Sequence, residues 1–218
     1  MNEKFGTDMY NRKYESKEET TPRKVVTYFV DKYLKPGMNC LDLGSGAGRH
    51  SRYMAEKGIN VTAVDLSEVG IDKTKETLKD FSESRALIGD IHSLPFENRN
   101  FDSLVCNRVL DYNDDASLEI AFAEISRVMR AESFTLITVR STSQPPKSDE
   151  ILMTENANGG KSFKIENSEQ IQHYFTESEI RSLADKYGFK VIEIREELKV
   201  NNDSEPKAEW QVVMEKVS

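Results

Sequence analysis

Leu41-Asp42-Leu43-Gly44-Ser45-Gly46-Ala47-Gly48-Arg49 is the stretch on which the reading of this chain turns. A carboxylate sits between two leucines at the end of a short apolar run, and three glycines alternate before a helical pattern begins. Glycine lets a chain turn sharply and lets a ligand lie against bare backbone. Open α/β sheets bind their ligands at such strand-to-helix turns, at the carboxyl ends of the strands. The spacing is not the nicotinamide pattern, which wants a further glycine where Arg49 stands, and it lacks the Gly-Lys-Ser/Thr of a phosphate loop. Ser45 comes one residue too early for a Gly-x-Ser-x-Gly nucleophile elbow.

Outward from this turn the chain alternates strands and helices. Before it, Val25, Val26, Phe29, Val30, Tyr33 and Leu34 repeat at three-and-four spacing and predict a helix over 23–34. Residues 39–43 read as a buried strand, 50–57 as a helix closed by Gly58, and 60–65 as a second strand. A helix over 68–83, a weak strand at 86–88, a strand at 101–106, a helix over 116–130 and a strand at 133–139 follow. Such β-α alternation implies a mostly parallel sheet covered on both faces. Thr176 and Glu179 form a capping box that opens a last helix, and 189–197 and 209–217 alternate as an antiparallel strand pair. The expected fold is an α/β, Rossmann-like doubly wound sheet of about seven strands in a single domain over 1–218. Residues 1–24 are expected to form an N-terminal arm, and 140–175, rich in Pro, Gly and polar residues, an inserted substrate loop.

The 218 residues include 30 Lys+Arg and 38 Asp+Glu, a formal charge of −8, with 37% hydrophobic residues. That suffices for one core. The acidity argues against a broad nucleic-acid surface, and no run approaches the roughly 18 apolar residues that span a membrane. The start Met-Asn-Glu-Lys-Phe-Gly has no apolar leader core, and Cys40 and Cys106 each lie in an apolar run, so a cytoplasmic protein with buried free thiols is expected. His50, His92 and His173 have no metal-ligand spacing with each other or with the cysteines, so no metal is expected. Monomer and homodimer both remain open.

Three acidic positions follow the strands. Asp42 stands beside a turn dense in amide donors. Asp65 ends the second strand, where a carboxylate can accept two hydrogen bonds from a ribose diol. Gly89-Asp90-Ile91 follows the third, where Asp90 can accept from a purine amine with Ile91 against the ring. Arg140, at the end of the fifth strand, can attract an anionic acceptor, and His173, just before the last helix, can reach a substrate pocket.

Residues 41–48, Asp65, Asp90 and the strand over 101–107 together resemble the class I S-adenosylmethionine-dependent methyltransferases, and the tail resembles small members labelled type 11 or type 25. The resemblance implies S-adenosyl-L-methionine as cofactor, S-adenosyl-L-homocysteine as product and a small-molecule acceptor methylated by in-line displacement. It implies a cofactor site of Tyr14, Asp42, Gly44, Ser45, Gly46, Gly48, Arg49, Asp65, Leu66, Gly89, Asp90, Ile91 and Asn107. Relatives often carry a histidine after the fourth strand; this chain has Val109-Leu110-Asp111-Tyr112, where Asp111 or Tyr112 can take over that role or only line the pocket, and Tyr112 joins His173 and Arg140 as the candidates for work on the acceptor. The competing readings are a methyltransferase acting on RNA or protein, a non-catalytic S-adenosylmethionine-binding module and, disfavoured by Arg49, a nicotinamide oxidoreductase.

Overall fold

The computed structural model describes residues 11, 20–201 and 204–217. Tyr14 and most of the expected 1–24 arm lie outside the described residues.

Ten strands are present: β1 (Asn39–Leu43), β2 (Asn60–Asp65), β3 (Arg85–Ile88), β4 (Phe101–Asn107), β5 (Met129–Arg140), β6 (Glu150–Glu155), β7 (Lys161–Ile165), β8 (Ile171–Tyr174), β9 (Phe189–Asn201) and β10 (Ser204–Lys216). Among the described residues the helices are α1 (Lys24–Tyr33), α2 (Arg49–Glu56), α3 (Glu68–Leu78), α4 (Asp115–Val128) and α5 (Glu177–Lys186). A 3₁₀ turn spans Leu110–Tyr112. The main sheet has seven strands in the order β3-β2-β1-β4-β5-β10-β9. Its first five strands run parallel, and β10 pairs antiparallel with both β5 and β9. This is the doubly wound sheet with an antiparallel end that the alternation predicts.

Apolar residues on both faces of the parallel strands explain the layering. Val26, Phe29 and Met54 of α1 and α2 pack with Val61, Val105 and Leu136 on one face. Phe122, Ile125, Ile180 and Leu183 of α4 and α5 pack with Leu43, Leu104 and Ile137 on the other. Burying each such side chain contributes about 1.5–3 kcal/mol. Cys40 and Cys106 are free and buried in these layers, and burial pushes both thiols up, so they stay protonated and inert. Among the described residues no helix is long and apolar enough to cross a membrane.

The segment expected to be a loop over 140–175 is instead largely a second, three-stranded antiparallel sheet, β6-β7-β8. The chain leaves β5 at Ser141 and returns at Phe175. Phe175 N–H donates to the Arg140 carbonyl at 2.8 Å, Thr142 N–H donates to the Phe175 carbonyl at 3.0 Å, and Trp210 Nε1 donates to the same carbonyl at 3.0 Å. The strands escape notice in the sequence because β6 is an exposed edge. Ile151, Leu152 and Met153 are all half-exposed, so no alternation marks it.

The inserted sheet is locked to the main body through His173. Its ring is fully buried; Nδ1 lies 2.8 Å from Ser162 Oγ, and Nε2 lies 2.9 Å from Glu179 Oε1. Thr176 Oγ1 accepts from Glu179 N–H at 3.1 Å, the first half of the capping box. The Glu179 carboxylate, however, does not close the box; it turns to His173 and accepts from Asn156 Nδ2 at 2.5 Å. Gly160 makes room, since a Cβ there would meet the Glu179 carboxylate at 2.1 Å. Removing one partner of a buried polar pair leaves the other unsatisfied at a cost of a few kcal/mol. His173→Ala is therefore expected to lower unfolding free energy by about 2–4 kcal/mol, as read by urea denaturation.

Candidate active site

The site lies where the strand order reverses, between the carboxyl ends of β1 and β4. The chain leaves β1 through Gly44, Gly46 and Gly48, whose φ angles of 75°, 58° and 83° are all left-handed. That conformation is open to glycine and strained for other residues. Gly44 also needs its missing side chain for space, since a Cβ would stand 2.1 Å from Val109 Cγ2. Gly44 and Ser45 donate to the Val64 carbonyl at 2.7 and 3.0 Å, which fastens the turn to β2. Thr74 of α3 supports it from outside, donating to the Gly46 carbonyl at 2.9 Å. Thr74 takes a place on the buried face of α3 beside Ile71 and Leu78, a polar residue in an apolar stripe, which is the one mark the sequence gives of it.

Asp65 holds the turn directly. Its Oδ2 accepts from Gly46 N–H at 2.8 Å and its Oδ1 from Ser67 N–H at 2.9 Å. A carboxylate offers about four lone-pair sites, and these two bonds take one on each oxygen. Asn11 is docked beside this carboxylate, where its Oδ1 accepts from Ser67 Oγ at 2.6 Å. Ser67 in turn caps α3 by accepting from Gly70 N–H at 3.0 Å. Leu66, between Asp65 and the cap, is half-buried.

Asp42 is almost fully buried and accepts from Ser51 Oγ at 2.5 Å. Burial, reinforced by the negative charge of Asp65 and opposed by the Ser51 hydrogen bond and Arg49, raises its pKa to about 6. Gly89 donates to the Asp65 carbonyl at 3.1 Å, and Ile91 is buried beside it. Asp90 Oδ1 accepts from His92 N–H at 2.9 Å and lies 2.7 Å from His92 Nδ1, while His92 Nε2 lies 2.6 Å from Asn113 Oδ1. Asp42, the glycine turn, Asp65 and Asp90 thus share one sheet edge.

Asn107 closes the other side. Its Oδ1 accepts from Arg23 Nη1 at 2.9 Å and from Thr138 Oγ1 at 3.0 Å. Arg23 is a site residue that the sequence reading did not single out. It stands at the base of the arm, pairs with Glu209, and donates its N–H to His50 Nε2 at 3.4 Å. Burial, with help from the charges of Arg49 and Arg23, drops the His50 pKa to about 3, so its ring is a neutral acceptor. Nothing in sequence links residue 23 with 107 and 209; only the fold does.

Of the three candidates for work on the acceptor, Tyr112 and Arg140 come together, and His173 stands apart. The Arg140 guanidinium lies 5.9 Å from the centre of the Tyr112 ring and 5.6 Å from that of Tyr174. Its backbone N–H donates to Asp111 Oδ1 at 2.7 Å, and Arg108 Nε donates to Asp111 Oδ2 at 2.5 Å. Burial and the Asp111 charge raise the Tyr112 pKa, against the opposing charges of Arg140 and Arg108. The expectation that His173 reaches the pocket is corrected, because its ring has no exposure and both nitrogens are engaged by Ser162 and Glu179. The fold does bring ligand atoms of Asp115, His173 and Glu179 within 4.8 Å of one another, a grouping that sequence spacing does not show. Asn156 Nδ2 already donates to both carboxylates of that group, at 3.0 and 2.5 Å.

The residues fit an adenosyl cofactor on two counts. The Gly44 turn has no room for a side chain, and Ser45, 6% exposed, keeps a buried hydroxyl with no hydrogen-bond partner among the described residues. A buried polar atom left in this way calls for a ligand.

Comparison with known proteins agrees. Residues 40–132 match the family model described as a methyltransferase domain. Over 94 residues the chain is 36% identical to a malonyl-[acyl-carrier protein] O-methyltransferase of Pectobacterium atrosepticum, a match covering 43% of this chain and 35% of that protein. Over 154 residues it is 26% identical to a glycine/sarcosine/dimethylglycine N-methyltransferase of Actinopolyspora halophila, covering 67% of this chain and 27% of the other. The matched stretches thus span about a third or less of the length of these curated relatives. A Burkholderia thailandensis 1,6-didemethyltoxoflavin-N1-methyltransferase, solved with S-adenosylhomocysteine, superposes with a TM-score of 0.70 at 19% identity, covering 90% of this chain and 78% of that one. The chain has the class I S-adenosylmethionine-dependent methyltransferase fold, and its methyltransferase-domain match begins in β1, just before the glycine turn, and ends in β5.

The raised Asp42 pKa has a consequence for stability. The folded chain binds this proton more tightly than the unfolded chain, whose aspartate titrates at an ordinary 3.8. The contribution is complete below about pH 4 and is lost as pH rises through about 6, by roughly 3 kcal/mol in all. Compared with Asp42→Asn, the wild-type protein is expected to lose about that much unfolding free energy between pH 4 and pH 7, measured by urea denaturation across the range.

Proposed function

We propose that this protein is an S-adenosylmethionine-dependent methyltransferase that acts on a small-molecule acceptor. The observation that carries the reading is the left-handed glycine turn clamped by Asp65, with Asp42 buried behind it and Ser45 unpartnered beside it. The acceptors named for its relatives, malonyl-[acyl-carrier protein] and glycine among them, differ from one another. They support methyl transfer and leave the acceptor to this chain's own pocket.

When bound, S-adenosylmethionine supplies a methyl group on a positively charged sulfur, ready for direct displacement. The chain's part is to bind, align and exclude water, because orientation alone is worth effective molarities of about 10⁵ M or more. Asp65 offers its remaining lone pairs to sugar hydroxyls while still holding Gly46. Asp90 and Ile91 flank the base end on the same edge. Asp42 faces the cationic end, where a positive charge draws its carboxyl back towards ionisation. Asn107, held by Arg23 and Thr138, borders the acceptor side. Tyr112 keeps its proton because its pKa is raised, so it orients by donating and does not act as a base. Arg140 attracts an anionic group. His173 serves through the inserted sheet it locks in place.

Calorimetric titration with S-adenosylhomocysteine tests the cofactor half of this reading. Wild-type protein is expected to bind, and Asp65→Ala to bind at least tenfold more weakly, about 1.4 kcal/mol. Equal affinities, or no binding by the wild type, would remove the basis for methyl transfer.

A further inference from the structure

Three buried polar atoms on β5, β6 and β8 have no hydrogen-bond partner among the described residues. Arg140 Nη1 is one. Its neighbour Arg108 is neutralised by Asp111 and Glu209, whereas among the described residues no carboxylate lies within ion-pair distance of the Arg140 side chain. The second is Glu150 Oε1. Glu150 is 9% exposed; its Oε2 accepts from Tyr174 Oη at 2.6 Å and from Lys147 N–H at 3.1 Å, and Oε1 is left over. The third is Oε1 of Gln172, 3% exposed.

Gln172 and Tyr174 are two residues apart on β8 and so share a face of the inserted sheet, opposite to the one on which His173 makes its lock. Tyr174 joins the group, its hydroxyl on Glu150 and its ring facing the Arg140 guanidinium. A buried donor or acceptor left unmade costs about 1–3 kcal/mol, and more for a charged group. Arg140 and Glu150 carry opposite charge and touch the same tyrosine, yet they do not pair with each other. A ligand that carries both complementary charges satisfies them together.

We propose that the seam between the end of β5 and the inserted sheet opens to receive a zwitterionic small molecule, its anionic group on Arg140 and its protonated amine on Glu150 and Gln172. The proposal rests on the methyltransferase reading and names its acceptor class.

The test uses three compounds on one scaffold: phenylalanine, with both charges; 3-phenylpropanoate, with the carboxylate alone; and phenethylamine, with the amine alone. Each is titrated by ligand-observed NMR onto protein saturated with S-adenosylhomocysteine. Phenylalanine is expected to bind at least tenfold tighter than either analogue. Arg140→Gln is expected to erase its advantage over phenethylamine, Arg140→Lys to retain part of it, and Glu150→Gln to erase its advantage over 3-phenylpropanoate. Because each substitution removes a buried charge whose Nη1 or Oε1 has no partner among the described residues, and a glutamine at 150 keeps an amide oxygen for Tyr174 Oη and Lys147 N–H, neither glutamine variant is expected to lower the thermal unfolding midpoint. Equal binding of the three compounds, no binding of any, or preferences untouched by the substitutions overturns the proposal. Failure of the wild type to bind S-adenosylhomocysteine would sink the methyltransferase reading itself, a separate result.

Discussion

The carboxylate of Asp65 is the constraint on which the rest of the site depends. It ends β2, yet one of its oxygens holds Gly46 in the turn after β1 and the other holds Ser67 at the start of α3. Two strand ends and a helix start are thereby fixed by one side chain. Three alternating left-handed glycines would be entropically costly in an unsupported loop. Here the backbone amides of Gly44 and Ser45 bind the Val64 carbonyl one residue before Asp65, so the clamp works on main chain and side chain together. The same two oxygens define the shape of the turn and the start of the helix.

Much of the fold was legible because its signals are local. The glycine turn, the apolar strands 39–43, 60–65 and 101–107, and the paired alternation at the end of the chain each carry their own periodicity. Asp42, Asp65 and Asp90 were legible for a related reason, since each sits at a strand end and a parallel sheet gathers strand ends on one edge. What failed to show depends on long-range pairing. Arg23 meets Asn107 and Glu209 from 84 and 186 residues away, and no spacing rule connects them. The β6-β7-β8 sheet was hidden because its edge strand exposes Ile151, Leu152 and Met153. His173 looked like a group bound for the pocket because it precedes a helix at the ligand-bearing edge; the alternation along β8 turns it the other way.

Charge in this site is divided by depth. Arg23, Arg108, Glu209 and Asp111 form a satisfied network that ties the base of α1 to the ends of β4 and β10. Asp42 lies deeper still, with only Ser51 as a direct side-chain partner, and its carboxyl is correspondingly slow to ionise. Arg140 stacks on tyrosines at the seam with the inserted sheet. Aspartates and glycines thus gather at the ends of β1, β2 and β3, and arginine and tyrosine at the seam with the inserted sheet.

The way the insertion is attached has an architectural consequence. The chain departs at Ser141 and comes back at Phe175, and these two positions form a parallel bridge, so the doorway is one residue pair wide. Whatever lies between them can lengthen, shorten or be exchanged without moving a single rung of the main ladder. A protein of this plan can retailor what it recognises by swapping a cassette while its catalytic floor stays as it was.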